Sequence, residues 1–343
     1  MLELFQRLVS YDWRRRGATL RTIPILGSRV WYAEFNPKPP ALEALRAASC
    51  ARGETRRGAF QAPTVILFHG LGASATSFYT VVPRLRRTYR VIVPDLPGYG
   101  SSRAPPGRAY LPFGEMVDVA ERFVAKVAPR GAYVAGNSMG GWIAAKIASR
   151  RPDLVHGMAL LNPGGPALRA EDWVDFARVL WAEEAMDEWY SRMFHRTPFG
   201  LRLFARDFKR IMRSPSVADV VQSLRPEDFL TAAELEKVKC PSVLVWGERD
   251  RFIPEGCKAF YLEKLKDVRY EPVPDCGHCP QLECPHRTAD ILLQLPALAA
   301  ARKPQHAPAA KPATGSGRRA GTPVPRRRGG TTVVARAPRP ERG

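Results

Sequence analysis

The chain has 343 residues, 45% of them hydrophobic, and a formal charge of +20. That length and apolar content can fill the core of one large domain, which excludes a small disulfide-stapled scaffold, and no apolar run is long enough for a membrane-spanning helix. The charge would by itself suggest a polyanion partner, but from Ala301 onward eleven Lys or Arg face the single acid Glu341, so half of the excess lies in a Pro-rich tail.

In chain order, residues 2 to 9 read as a short amphipathic helix with Leu2, Phe5, Leu8 and Val9 on one side. Packing on the body is the expectation, and a foot resting on a membrane is the alternative. Glu3 and Arg7 interrupt any signal-peptide core, and the residues after Arg14-Arg15-Arg16 lack a clean apolar stretch. With six scattered cysteines, this points to a cytoplasmic protein with reduced thiols, peripheral membrane contact remaining the variant of that reading. Thr19 to Ile25 and Arg29 to Phe35 predict a β-hairpin through Leu26-Gly27-Ser28, followed by an Ala, Pro and Arg-rich surface insertion over 36–62. Strands are predicted at Thr64 to Phe68, Arg90 to Pro94, before Ser138, and at Gly157 to Leu161. Helices are predicted at Ser77 to Arg87, Phe113 to Val127 and after Ser138, an alternation that implies parallel crossovers and a sheet covered on both faces. Asp95-Leu-Pro-Gly-Tyr-Gly-Ser-Ser reads either as a pocket wall or as a tight turn. From 163 to 235 the alternation gives way to a helical segment rich in aromatics, including Trp173, Phe176, Trp181, Trp189, Phe208 and Phe229. The core resumes over 236–300, and 301–343 has too few large apolar residues to fold.

Within this pattern, Ala-Tyr-Val-Ala-Gly136-Asn-Ser138-Met139-Gly140 places a serine on a sharp strand-to-helix turn. Such a turn lifts Oγ above the sheet and tolerates only small neighbours, which Gly136 and Gly140 supply. The helix start also aims the Met139 N–H at a point where a carbonyl oxygen would turn negative. Upstream, a buried-type strand runs into His69-Gly70-Leu71-Gly72; downstream, Ser-Val-Leu-Val-Trp-Gly-Glu-Arg-Asp250 and Gly277-His278 follow in that order.

From about Thr64 to Leu295 these pieces resemble the α/β-hydrolase family, whose order is Ser, acid, His. The resemblance implies an α/β fold with a mostly parallel sheet, helices on both faces and an inserted helical lid. It also implies Ser138 as nucleophile, His278 as base, Asp250 as orienting acid, and the N–H groups of Leu71 and Met139 as oxyanion hole. Glu248 and Asp275 compete for the acid role; Asp250 is preferred because Gly-x-x-Asp-x-x-x-Pro follows the family pattern. His69 is read as a turn residue. Cys276-Gly-His-Cys279 with Cys284 and His286 has the composition of a zinc or thiol-disulfide site, but a redox motif should open a helix early in a βαβ unit whereas this one follows Pro274-Asp275 late in the chain, and zinc ligands would have to converge from the turn that His278 needs for the triad. The cysteines are therefore read as small apolar residues, and no metal or cofactor is expected.

A serine at the elbow argues against the aspartate-based branches of the family. Gly-Asn-Ser-Met-Gly-Gly, Leu-Leu-Asn-Pro-Gly-Gly and the aromatic lid resemble the esterase and lipase branch, of the monoacylglycerol-lipase kind. This implies hydrolysis of small-molecule esters or lipids of medium or long acyl chain. Two alternatives stand beside it: a carbon-carbon bond hydrolase of ring-cleavage diketones, and a non-catalytic module whose tail at 302–342 makes weak, non-specific, salt-sensitive polyanion contacts. Oligomeric state is left open.

Overall fold

Along the inner strands, successive side chains enter two different cores. Ile66, Phe68, Val134, Leu160 and Leu244 belong to one; Val65, Leu67, Ala135, Leu161 and Val243 belong to the other. Because side chains alternate across a strand, near-continuous apolar runs are what a sheet buried on both faces requires. In the computed structural model, which describes residues 1–37, 43, 47, 61–167, 171–172 and 186–301, these runs form one eight-stranded sheet ordered β1-β2-β4-β3-β5-β6-β7-β8.

β1 (Thr19–Ile25) and β2 (Ser28–Phe35) form an antiparallel hairpin. Its turn is one residue shorter than the three-residue connection expected, since Ser28 already pairs with Ile25. Leu26 and Gly27 both take positive φ, 47° and 77°, the primed-turn geometry that matches strand twist. β2 runs antiparallel to β4 (Arg90–Pro94). From there β3 (Thr64–Phe68), β5 (Ala132–Asn137), β6 (Val155–Leu161), β7 (Ser242–Gly247) and β8 (Val268–Val273) are parallel. The first core packs beneath the helices Phe113–Val127 and Met139–Arg150. The second takes Val9 and Trp13 of helix α1 (Leu2–Arg15) and Ile291 and Leu292 of the helix Pro285–Leu292.

The helix expected over Ser77 to Arg87 is instead a 3-10 turn, Ala75–Phe78, and a separate short helix, Val82–Leu85. Pro83 sits in the first turn of the latter, where its missing N–H costs nothing; in the middle of a continuous helix it would break the ladder. Between β6 and β7 the described residues form an insertion with the helices Met186–Met193, Ala205–Met212, Pro215–Gln222 and Ala232–Leu235. Lys146, on the helix after Ser138 and only 1% exposed, anchors its return: Nζ donates to the carbonyls of Glu227 (3.3 Å) and Phe229 (2.9 Å) and pairs with Glu234 at 2.8 Å. Most of the expected surface insertion at 36–62, Trp173, Phe176 and Trp181, and the tail from 302 lie outside the described residues. Among the described residues, no helix is long and apolar enough to cross a membrane.

Candidate active site

β5 ends at Asn137, a helix starts at Met139, and Ser138 between them has φ 56° and ψ −120°. A non-glycine residue there stores about 1–3 kcal/mol of strain. Neighbouring main chain holds it: Ser138 N–H donates to Leu161 O at 3.0 Å, and Ser138 O accepts from the amides of Trp142 (3.1 Å) and Gly164 (3.3 Å). The flanking glycines are required by proximity. A Cβ on Gly136 would collide with the Gly140 carbonyl, and one on Gly140 with the Phe68 carbonyl. As the first residue of its helix, Met139 has no intrahelical acceptor for its N–H. Leu71, Ser138, Met139 and His278 all border one cavity.

His278 Nδ1 lies 2.9 Å from Asp250 Oδ2, and the two side chains are 1% and 0% exposed. An ionised carboxylate only accepts, so Nδ1 carries the proton and Nε2 keeps a free lone pair. The same Oδ2 accepts from Asn162 Nδ2 at 2.6 Å, and Oδ1 from the amides of Phe252 (2.7 Å) and Ile253 (3.2 Å). Those donors fix the orientation of the carboxylate. Asn162, with φ 42°, also accepts the Gly247 N–H at 3.0 Å, which ties the end of β6 to the end of β7. Asn137 does the same for the histidine loop. Its Nδ2 donates to the His278 carbonyl at 2.8 Å, and its Oδ1 accepts from Gln281 Nε2 at 3.0 Å. Both asparagines stand in the motifs that carry the esterase resemblance, beside the serine and at a strand end, but sequence reasoning gave neither a role.

The competing residues lie elsewhere. Asp275 is 61% exposed and faces Arg249 (3.6 Å) and His195 (3.7 Å), and Glu248 is exposed. His69 is buried at the start of the turn that carries Leu71: Leu96 N–H donates to its Nε2 at 3.0 Å, so Nδ1 donates to Gly70 O at 2.8 Å. Burial lowers its pKa to about 4, which keeps the ring neutral. Asp95 is a latch for its turn. Its carboxylate accepts the amides of Ala75 and Ser101, both at 2.7 Å, and burial pushes its pKa up to about 6 despite those bonds. Among the described residues, none from Asp95 to Ser102 borders the cavity. Cys276 and Cys279 are buried thiols whose pKa values burial pushes upward, so they stay protonated and pack as small apolar groups.

The cavity measures about 460 Å³ and is lined mostly by apolar and aromatic side chains, within the size range of small-molecule sites. Trp142 stacks between Phe113 (3.8 Å between centroids) and Phe229 (5.5 Å), while Trp189 meets Phe208 at 5.6 Å. Leu2, Phe5 and Gln6 of α1 contribute to the same wall. Their helical spacing announced a packed helix but not that it reaches the site.

Residues 65–291 match the alpha/beta hydrolase family. The chain belongs to that family. Among similar proteins, this hydrolase is 30% identical over 240 residues to a pimeloyl-(acyl-carrier protein) methyl ester esterase of Chromobacterium violaceum, covering 65% of this chain and 89% of that one. It is 24% identical over 238 residues to Lipase 1 of Psychrobacter immobilis, covering 66% and 74%. A solved membrane phospholipase A superposes with a TM-score of 0.71 at 25% identity, covering 87% of this chain and 92% of that one. A putative lipase of Acinetobacter baumannii superposes with a TM-score of 0.67 at 20% identity, covering 85% and 97%. With relatives named as esterases and lipases, the chain is a hydrolase of the esterase and lipase branch.

Proposed function

We propose that the protein hydrolyses carboxylic esters of medium or long acyl chain through Ser138, His278 and Asp250. The supporting observation is that the strained Ser138 and the enclosed His278–Asp250 pair border the same apolar cavity. In this reading Ser138 Oγ bonds to the ester carbonyl carbon while its proton passes to His278 Nε2, and Asp250 stabilises the imidazolium that results. The carbonyl oxygen becomes an oxyanion held by the N–H groups of Leu71 and Met139, each worth about 3–4 kcal/mol where such donors have been removed. The carbon-to-alkoxide bond then breaks, and the leaving alcohol takes the proton from His278. Water, deprotonated by the same nitrogen, attacks the acyl-enzyme and returns Ser138 with release of the acid. The segment 163–235 serves as the lid, and its aromatic residues receive the acyl chain. The names of the relatives, a methyl ester esterase and a lipase, accord with ester substrates.

The test is hydrolysis of p-nitrophenyl esters from acetate to palmitate by wild type and Ser138→Ala. An optimum beyond the shortest esters is expected, with kcat falling roughly 10⁵- to 10⁶-fold in the variant. Equal turnover by both proteins would overturn the assignment of Ser138. Inertness of wild type toward every ester, with turnover of ring-cleavage diketones, would replace the ester by a carbon-carbon bond.

A further inference from the structure

Helix α1 has more apolar surface than the body covers. Val9 and Trp13 are buried, Trp13 edge-on to the Phe35 ring at 5.5 Å. Leu4, Leu8 and Tyr11, at i, i+4 and i+7, form a second stripe that is 60%, 57% and 61% exposed. A helix that packs by one face alone is ordinarily polar on the other. The stripe adjoins the insertion: the Phe5 ring lies 5.4 Å from that of Phe204, and the Leu2 N–H donates to Asp207 Oδ2 at 3.1 Å. On the insertion side, Phe199 is fully exposed and Leu203 68% exposed. Phe5, Phe199 and Leu203 also border the cavity, so they form part of its rim, while Leu4, Leu8 and Tyr11 lie outside its lining on the same helix as Phe5.

Beside it runs a row of positive charge. Arg206, Lys209, Arg210 and Arg213 recur at i, i+3, i+4 and i+7 and line a second, shallow concavity together with Ser214. The acid on the same helix, Asp207, is turned to the α1 N-terminus (3.3 Å) and to Arg210 (3.3 Å). Large exposed apolar side chains flanked by a basic helical row are the composition of a surface that rests on anionic lipid.

We infer that this rim is a docking surface for a phospholipid membrane bearing anionic headgroups. The α1 stripe, Phe199 and Leu203 enter the boundary between headgroups and acyl chains, and the basic row meets the phosphates. Docked this way, the cavity mouth faces the lipid, and an ester enters it without crossing water. Delivery of substrate rests on the ester reading above; docking itself does not.

The basic tail beyond Ala301 also attracts anionic lipid, so the test keeps it in place and alters the rim alone. Full-length Ser138→Ala protein is floated with phosphatidylcholine vesicles, with and without phosphatidylglycerol, at low and high salt. Flotation with the anionic vesicles is expected, and part of it survives high salt because apolar insertion is not screened. Adding Leu4→Ser, Leu8→Ser and Tyr11→Ser lowers the partition coefficient by about tenfold or more and shrinks the salt-resistant part to what Phe199 and Leu203 sustain. Adding Arg206→Glu and Lys209→Glu removes the preference for phosphatidylglycerol. With Ser138 restored, both variants hydrolyse soluble p-nitrophenyl butyrate like wild type and lose rate on an ester embedded in vesicles. Unchanged flotation of both variants would overturn the inference and leave the tail as the membrane contact. So would a shift from dimer to monomer in the serine variant with flotation unchanged, which would make the stripe a contact between two copies. If wild type fails to hydrolyse butyrate while the rim variants still lose flotation, the ester reading falls and the docking surface stands.

Discussion

Around Ser138 the constraints are main-chain constraints: a strained φ, carbonyls that two glycines must clear, and amides that hold the turn. From Trp189 to Phe229 the cavity is instead walled by side chains, with aromatic rings meeting at centroid distances between 5 and 7 Å. Backbone geometry of the first kind admits few residues, so substitutions there are felt in the chemistry or the fold. Side-chain packing of the second kind accepts other residues of similar volume, and changes there are felt in which substrate fits.

The largest effect separating the two regions is expected at Asp250. Asp250→Asn preserves shape but offers an amide where His278 needs an acceptor, so kcat should fall about 10⁴-fold with KM little changed. A loss below tenfold in ester kinetics would show that another group orients the base. A smaller effect is expected on the packed side. Phe208→Ala, which removes a ring from against Trp189, should lower the ratio of kcat/KM for long over short esters by about tenfold. An unchanged ratio would place the acyl chain elsewhere. The smallest effect concerns neither substrate nor catalysis but two buried groups, Asp95 and His69. The Asp95 pKa, raised from 3.8 to about 6, gives stability that is full below pH 4 and lost as pH rises through 6. The His69 pKa, lowered from 6.5 to about 4, gives stability that is full above pH 6.5 and lost as pH falls through 4. Each amounts to about 3 kcal/mol, and over the shared window they oppose each other. Asp95→Asn should therefore expose a rise in stability from pH 4 to 6 that wild type lacks, read by urea unfolding across pH; an unaltered slope would refute the compensation.

The same contrast explains what was legible in the sequence. Gly136, Ser138 and Gly140 form a contiguous pattern because a tight turn brings together residues that are already neighbours in the chain. The apolar strands could be read for the same reason, as period and length are local properties. His278 was expected beside Asp250, but the other side-chain partner of that carboxylate was not legible: Asn162 belongs to a strand end 88 residues away, and only the parallel pairing of β6 with β7 brings it there. Nor was the part α1 takes in the cavity wall. Helical spacing identified faces on α1 but not what each face meets, and the face bearing Leu4, Leu8 and Tyr11 is more than half exposed.

Glu283 links the histidine loop to the insertion. Its carboxylate accepts the Gly277 amide at 3.0 Å, the His195 amide at 3.2 Å and the Arg196 amide at 2.7 Å. His278 N–H adds a bond to Met193 O at 2.7 Å. The chain just past the helix Met186–Met193 is thereby pinned beside His278, whereas among the described residues no hydrogen bond ties Phe199 or Leu203 to that loop. The insertion is thus fastened to the loop that carries His278 by these hydrogen bonds at one end, so the position of that ring depends on the insertion as well as on the sheet.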